Sequence, residues 1–432
     1  MGRRFYIQNF GCRATQADGA AIERALGVEG LVAAPDVESA DIVVLNSCTV
    51  TAAADEDLRH ALNRVHRRNP EASILVTGCY AQRRPEELIG FPGVKWVVGN
   101  THKHNIPQLV QVGEGVPSHG LIQVGDIAAQ QQFIAAPVDD ASGDRTRPNL
   151  KIQDGCGNRC TFCVIPSVRG RSRSAEADWV VEEVRKLASA HAEVVLSGIN
   201  LGRWGREHGG RFRLVDLLRR LLDETDVRRL RLSSVEPMDW SGDLLDLVAS
   251  SSRMARHVHI PLQSGSDSVL RRMRRRYRPR HYEERVRLAR TLMPDAAIGA
   301  DVMVGFPGES EAEFEESRSF IESLPFTYLH VFTYSARPGT LAAGMPQQVP
   351  VPVRKNRNRI LRELAAAKNL EFRREMVGRT LSAVTLNEQG TAITGNYLKV
   401  SLAAPREPNR IVDLEIGGLA SDGLLEAGGT AI

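Results

Sequence analysis

Leu150-Lys151-Ile152-Gln153 reads as a strand, and it runs through Asp154-Gly155 into Cys156-Gly157-Asn158-Arg159-Cys160-Thr161-Phe162-Cys163. This junction decides the fold. It places three thiols on one short loop directly after a strand. Thiolates are the usual ligands of four-iron clusters, and a loop with three of them leaves one iron open for another molecule. A structural zinc site normally takes four ligands in two separated pairs. No fourth ligand is evident nearby beyond His257 or His259, so zinc is the minor alternative.

Downstream of this first strand, five more apolar strand patterns follow at Glu193–Ser197, Leu230–Ser233, His257–Leu262, Ile298–Val304 and Tyr328–Thr333. Helical patterns at Asp178–Ser189, Leu214–Glu224, Gly242–Ser250, Ser266–Leu292 and Glu311–Ser323 separate them. Six βα units predict an open version of the eight-unit barrel, whose active sites gather at the carboxyl ends of the strands. Polar or Gly-rich segments recur at those ends, among them Ser197-Gly198-Ile199-Asn200, Ser233-Ser234-Val235-Glu236 and Gln263-Ser264-Gly265-Ser266.

Upstream, strand patterns at Phe5–Phe10, Asp41–Asn46 and Ser73–Thr77 alternate with helical ones at Gln16–Leu26 and Ala52–Arg68, which predicts a parallel sheet. Cys12, Cys48 and Cys79 each fall within two residues of the end of one of these strands. The carboxyl ends of such strands share one edge, so the three thiols can converge as a second ligand set. The expected architecture is therefore α/β: an N-terminal parallel α/β domain (1–112), a linker (113–147) ending in Ala141-Ser142-Gly143-Asp144-Arg145, a partial (β/α)6 barrel with a basic helical exit (148–376), and a small β domain (377–432).

The composition agrees with this. A chain of 432 residues with 42% hydrophobic and 25% charged residues reads as globular and multidomain, and no apolar run approaches the length of a membrane span. The N-terminus lacks a signal-peptide pattern, so a cytoplasmic location is expected. Six cysteines in such a chain point to metal or catalysis rather than disulfides. Net charge is only +4, but arginines crowd Arg271–Arg280, either as a solvated helix face or as a site for an anionic polymer.

The Cys-x-x-x-Cys-x-x-Cys loop resembles the signature of the radical S-adenosylmethionine superfamily. With Cys12, Cys48 and Cys79, the whole chain resembles its methylthiotransferase branch, which carries two four-iron four-sulfur clusters and a C-terminal RNA-binding barrel called TRAM. Asn46–Thr51, Thr77–Gln82, Lys151–Cys156, Arg169–Ser174 and Asn396–Val400 are most similar to the enzymes acting on N6-threonylcarbamoyladenosine at position 37 of tRNA. Sister enzymes act on isopentenyladenosine-37 or on ribosomal protein S12. A non-catalytic iron-sulfur protein that binds RNA or senses redox state is the alternative of another class. Three departures from the family stand out. Ala14-Thr15-Gln16 lacks the Asn common before the Gln, Ser167 replaces a frequent aromatic, and Arg379–Ile432 is short for a complete barrel and low in basic residues.

The resemblance implies that Cys156, Cys160 and Cys163 hold the catalytic cluster and that Cys12, Cys48 and Cys79 hold the second. One S-adenosylmethionine would then donate methyl to sulfur at the second cluster, and another would start the radical step at adenine C2. Gly198, Asn200, Ser234, Glu236, Gln263, Ser264 and Asp301 are the candidates for positioning this cofactor. Arg169, Arg171 and Arg173 are candidates for phosphates of the anticodon arm, or else for ion pairs within the domain. An electron donor such as flavodoxin or ferredoxin is expected as a second partner.

Overall fold

The computed structural model describes residues 2–111, 119–138, 146–209 and 212–428. Six parallel strands form the N-terminal sheet: β1 (Arg4–Asn9), β2 (Val32–Ala33), β3 (Ile42–Ser47), β4 (Ser73–Gly78), β5 (Val94–Val98) and β6 (Leu121–Gln123), in the order β2-β1-β3-β4-β5-β6. The central strands β3 and β4 are buried at every position, because helices cover both faces. Ile42 and Val44 face helices Arg13–Val28 and Ile106–Gln111, while Val43 and Leu45 face helix Ala52–Arg68. The last of these helices starts where the Thr51 side chain accepts from the Ala54 N–H, and it ends on His66, Arg67 and Arg68, which suit the negative end of its dipole.

Strand β6 lies within the expected linker and extends this sheet by pairing Trp96 with Leu121. The rest of that linker falls partly outside the described residues, including Ala141–Arg145.

The central region carries β7 (Asn149–Asp154), β8 (Arg173–Ser174), β9 (Val194–Gly198), β10 (Leu230–Leu232), β11 (His257–His259), β12 (Ala297–Val304) and β13 (Tyr328–Thr333). Parallel strands run in the order β7-β9-β10 and then β11-β12-β13, and a Leu230–Met254 bridge joins the two groups. The short strand β8 is antiparallel on the edge of β7. Strand periodicity sorts the side chains. Leu230, Leu232, Val258, Ile260, Ile298, Ala300, Val302 and Val304 pack outward into the shared core with the helices. Arg231, His257, His259, Asp301, Tyr328 and His330, at the alternate positions, line the inside.

The sequence pattern at Ser266–Leu292 suggests one helix, but the chain forms two, Asp267–Arg272 and Pro279–Leu292. Arg274 adopts a positive φ of 56°, and Arg278, ahead of the proline, is extended. The break turns Arg275 inward and leaves Arg274 and Arg276 exposed, so the basic run is neither one solvated face nor one binding stripe.

Helix Val351–Glu375 leads to β14 (Thr380–Thr385), β15 (Thr391–Thr394), β16 (Lys399–Ser401), β17 (Ile411–Leu419) and β18 (Leu424–Glu426). These strands do close a barrel, contrary to the expectation from length. The long strand β17 bends at an irregularity between Ile416 and Gly418, and so pairs with β14 along one half and β18 along the other.

Candidate active site

The loop after β7 is fixed from both sides. The Cys156 N–H donates to Gly170 O at 3.0 Å, and Thr161 bonds Met273 O and Arg272 O. Cys156 Sγ accepts from the Asn158 N–H and from Asn200 Nδ2, each at 3.4 Å. Cys160 Sγ accepts from Arg275 Nη1 at 3.4 Å, and Arg275 also pairs with Glu236. Burial pushes the Cys156 thiol up and the Cys163 thiol up to about 12. Coordination would remove these protons, since a metal-bound thiol is deprotonated.

The second set lies on the sheet edge. Cys12 precedes helix Arg13–Val28, Cys48 follows β3, and Cys79 opens helix Cys79–Arg83 after β4. Gly11 lets the first loop close on the second, because a Cβ there would stand 2.7 Å from Cys48 Sγ. Burial pushes the Cys48 thiol up to about 12, and Cys79 and Cys12 add to the rise. Cys79 Sγ accepts from Arg169 Nε at 3.3 Å and Asn100 Nδ2 at 3.7 Å.

The donor sets fit polynuclear clusters better than single ions. Four thiolates around one zinc at bonds of ~2.3 Å stand only ~3.8 Å apart. Among the described residues, neither thiol triad has all its ligand atoms within 4.8 Å of one another; His259, Asp301 and His330 alone meet that limit. His257 and His259 are engaged elsewhere, with Tyr328 Oη at 2.6 Å and Ser234 Oγ at 2.5 Å. They complete neither triad.

The two sets meet. Cys79 packs with Val164 and Val168, so the N-terminal sheet edge touches the residues right after Cys163. Beneath this contact Arg169 bonds Asp154 Oδ1 at 3.0 Å and Asp18 Oδ2 at 2.9 Å, with Lys103 and Lys151 also on Asp18. Burial pushes the Asp18 carboxyl up, but Lys103, Lys151 and Arg169 outweigh it and hold it well below the usual range. Asp55 makes a parallel tie to Arg83 and to Arg337 of the opposite loop. A cavity of about 440 Å³ lies behind the charge network between helix Arg13–Val28 and residues 134–137, and none of the six cysteines lines it.

This geometry corrects part of the arginine expectation. Arg169 is 1% exposed and saturated by carboxylates, and Arg173 is buried beside Asp154, so neither is open to a phosphate. Arg171 is exposed.

The cofactor candidates divide similarly. Asn200 sits beside Cys156, with its N–H on Gln153 Oε1 at 2.6 Å and its buried Oδ1 lacking any hydrogen-bond partner among the described residues. Gly198 packs directly against Gln153. Ser234 and Asp301 line the interior with His259 and His330; burial raises the Asp301 carboxyl, but hydrogen bonds from both histidines hold it low. Gln263 takes a φ of 67° and bridges to Val302. Glu236 is engaged by Arg275. Ser264 turns away to Ser317 Oγ at 2.9 Å, so it holds the loop to helix Glu311–Ser323. Sequence reading missed the roles of Arg275, Gln153, Asn100, Arg13 and His330, and it named His257 and His259 only as possible zinc ligands. For the histidines, the every-second-residue spacing of His257 and His259 was the available signal.

Residues 4–99 match the model of Uncharacterized protein family UPF0004, and residues 150–321 match the Radical SAM superfamily. The threonylcarbamoyladenosine tRNA methylthiotransferase MtaB of Aquifex aeolicus is 36% identical over 94% of this chain and 98% of its own length. The chain belongs to the radical S-adenosylmethionine methylthiotransferase family. The threonylcarbamoyladenosine tRNA methylthiotransferase MtaB of Bacillus subtilis is 35% identical over 91% of this chain and 89% of its own length. Another member, the tRNA-2-methylthio-N(6)-dimethylallyladenosine synthase of Syntrophobacter fumaroxidans, is 33% identical over 96% and 90%. The radical S-adenosylmethionine methyltransferase TsrM of Kitasatospora setae, solved with cobalamin and a [4Fe-4S] cluster, shares the fold at 17% identity, with a TM-score of 0.57 over 79% of this chain and 77% of its own. This methylthiotransferase thus uses S-adenosylmethionine and 4Fe-4S clusters, and no described helix is long and apolar enough to cross a membrane.

Proposed function

We propose that the enzyme places a methylthio group on C2 of N6-threonylcarbamoyladenosine-37 in the anticodon arm of tRNA, in the cytoplasm, and takes electrons from a flavodoxin- or ferredoxin-type donor. The observation that carries this reading is the packing of Cys79, one of the N-terminal set, against Val164 and Val168 just after the core cysteine loop, beside a polar barrel interior. When bound, the core cluster with S-adenosylmethionine supplies the radical and the N-terminal cluster supplies the sulfur-bearing site.

The chain's own residues do the rest. Asn200 Oδ1, an unsatisfied buried acceptor next to Cys156, suits the ammonium of S-adenosylmethionine. Gln153 fixes the backbone of Asn200, and Arg275 donates to Cys160. Phe332, 48% exposed at the end of β13, offers a face on which a splayed base can stack. Arg159, Arg171, Arg274 and Arg276 are exposed around the core loop and suit phosphates better than Arg169 or Arg173.

A dimethylallyl substrate is the second reading, because the dimethylallyladenosine synthase of Acidothermus cellulolyticus is also 35% identical over 90% of the chain. The inward His257, His259, His330 and Asp301 favour the more polar substituent. Mass spectrometry of tRNA nucleosides from a deletion strain of the source organism tests the choice: loss of 2-methylthio-N6-threonylcarbamoyladenosine is expected, and an unchanged level refutes it. Iron analysis after anaerobic reconstitution should give about eight irons per chain, falling to about four when Cys12, Cys48 and Cys79 become Ala.

A further inference from the structure

We propose that Arg13 is the substrate-binding cation that reads a carboxylate on the N6 substituent, so that charge at this point selects the nucleoside. The inference rests on the threonylcarbamoyl reading above and names the residue that would enforce it.

Arg13 follows Cys12 directly, and its carbonyl accepts from Asn149 Nδ2 at the start of β7. Its guanidinium does not turn to solvent. Nη2 donates to Tyr397 Oη at 3.1 Å, although Tyr397 belongs to the C-terminal barrel. Tyr397 stacks on His257 at 4.6 Å between ring centroids and lies 5.9 Å from Tyr328. Arg13 therefore spans from the N-terminal thiols to the floor of the central barrel.

The other arginines buried around this interior are neutralised: Arg231 by Glu193, Arg169 by Asp154 and Asp18, Arg275 by Glu236. Arg13 has no ion-pair partner among the described residues. The inward carboxylate, Asp301, is already held by His259 and His330. A half-buried guanidinium whose hydrogen-bond partner among the described side chains is a phenol suits an anion, and a carboxylate can take its two N–H groups side by side. A neutral alkyl substituent would instead leave the cation desolvated and unpaired, which penalises the wrong nucleoside as well as favouring the right one.

The floor is built for such a load. Tyr397 holds a positive φ of 66°, a costly state that persists only where neighbours enforce it. Here they do: Arg231 donates to Thr394 O and Gly395 O, and Asn396 Nδ2 donates to Asp295 O.

The test compares anticodon stem-loops whose position 37 carries either N6-threonylcarbamoyladenosine or its methyl ester, which matches it in size but lacks the charge. With reconstituted wild-type enzyme, the acid should be preferred in kcat/KM on the order of 30-fold or more. Arg13→Gln should collapse that ratio to within about 3-fold, and Arg13→Lys, which keeps the charge but not the fork, should fall between. The same ratio, measured as Kd by fluorescence anisotropy, needs no turnover and so serves even where a variant loses iron. Retention of the wild-type ratio by Arg13→Gln, or no preference in the wild type, overturns the proposal. Wild-type enzyme that ignores both stem-loops but modifies a dimethylallyl one refutes the substrate reading itself.

Discussion

Replacing Arg169 with Met should loosen the joint between the N-terminal sheet and the barrel. The guanidinium is 1% exposed and reaches Asp154, Asp18 and Cys79 Sγ at once. Removing one partner of a buried pair costs about 3–5 kcal/mol, because the abandoned charge stays buried. Here Asp18 keeps Lys103 and Lys151, and Asp154 keeps Lys151 and, at 3.8 Å, Arg173. The lower end, about 3 kcal/mol, is therefore expected. For a cooperative unit of about 150–250 residues this lowers Tm by about 6–12 °C. Arg169→Lys, which keeps the charge but not the fork, should fall between.

Anaerobic thermal unfolding of the reconstituted protein, with iron content read on the same samples, provides the assay. The acid limb gives a second measure. Burial alone would raise Asp18 and Asp154, but the surrounding cations dominate and depress both in the fold. Their contribution is thus complete above the unfolded carboxyl range near pH 4 and is lost as pH falls below it. Arg169→Met should flatten that loss. A Tm drop under about 2 °C with the acid limb unchanged would refute the view that Arg169 ties the two halves together.

Asn200→Ala should raise KM for S-adenosylmethionine on the order of 10-fold, read from 5′-deoxyadenosine formation; an unchanged KM would mean that the free Oδ1 faces no ligand. Burial pushes Glu193 up, but Arg231, Arg147 and Arg229 outweigh it and set it at about 2, so wild-type stability should decline as pH falls from about 4.5 to about 2. Glu193→Gln should abolish that part of the decline while lowering stability at pH 7, as measured by chemical denaturation. Phe332→Ala should weaken stem-loop binding by about 1–3 kcal/mol if a base stacks there, as anisotropy titration would show.

Local periodicity made much of the fold legible. The helices Ala52–Arg68, Leu214–Glu224, Gly242–Ser250 and Glu311–Ser323 and the strand Tyr328–Thr333 occur at the expected bounds, because their amphipathic patterns depend on near neighbours alone. The cysteines were legible because thiols have few other uses in such a chain. Arginines were not. Whether Arg169 meets a phosphate or a carboxylate depends on Asp18, 151 positions away, and the environment of Arg13 depends on Tyr397, 384 positions away. The break at Arg274 was hidden within the arginine-rich stretch Arg271–Arg280, and Pro279 was the available signal.

The inside of the barrel explains why the N-terminal sheet must dock as it does. A strand layer with Arg231, His257, His259 and Asp301 turned inward and apolar residues turned outward inverts the usual order of a closed barrel, whose centre is packed with branched apolar side chains. Polar groups so placed need partners, and six strands leave one side open. Helix Arg13–Val28 meets that need: Asp18 neutralises inward Lys151, and the Arg13 carbonyl accepts from Asn149, both on β7. The C-terminal barrel meets it from below, where its Thr394 and Gly395 carbonyls accept from Arg231 and Tyr397 covers His257. Gly299 lets the Tyr328 ring lie flat across β12 to complete that floor, since a Cβ there would sit 1.9 Å from the ring. Each flanking unit therefore satisfies polar groups that the central strands cannot satisfy alone. The central unit expressed without either neighbour should lose this interior order before it loses its outward-packed core.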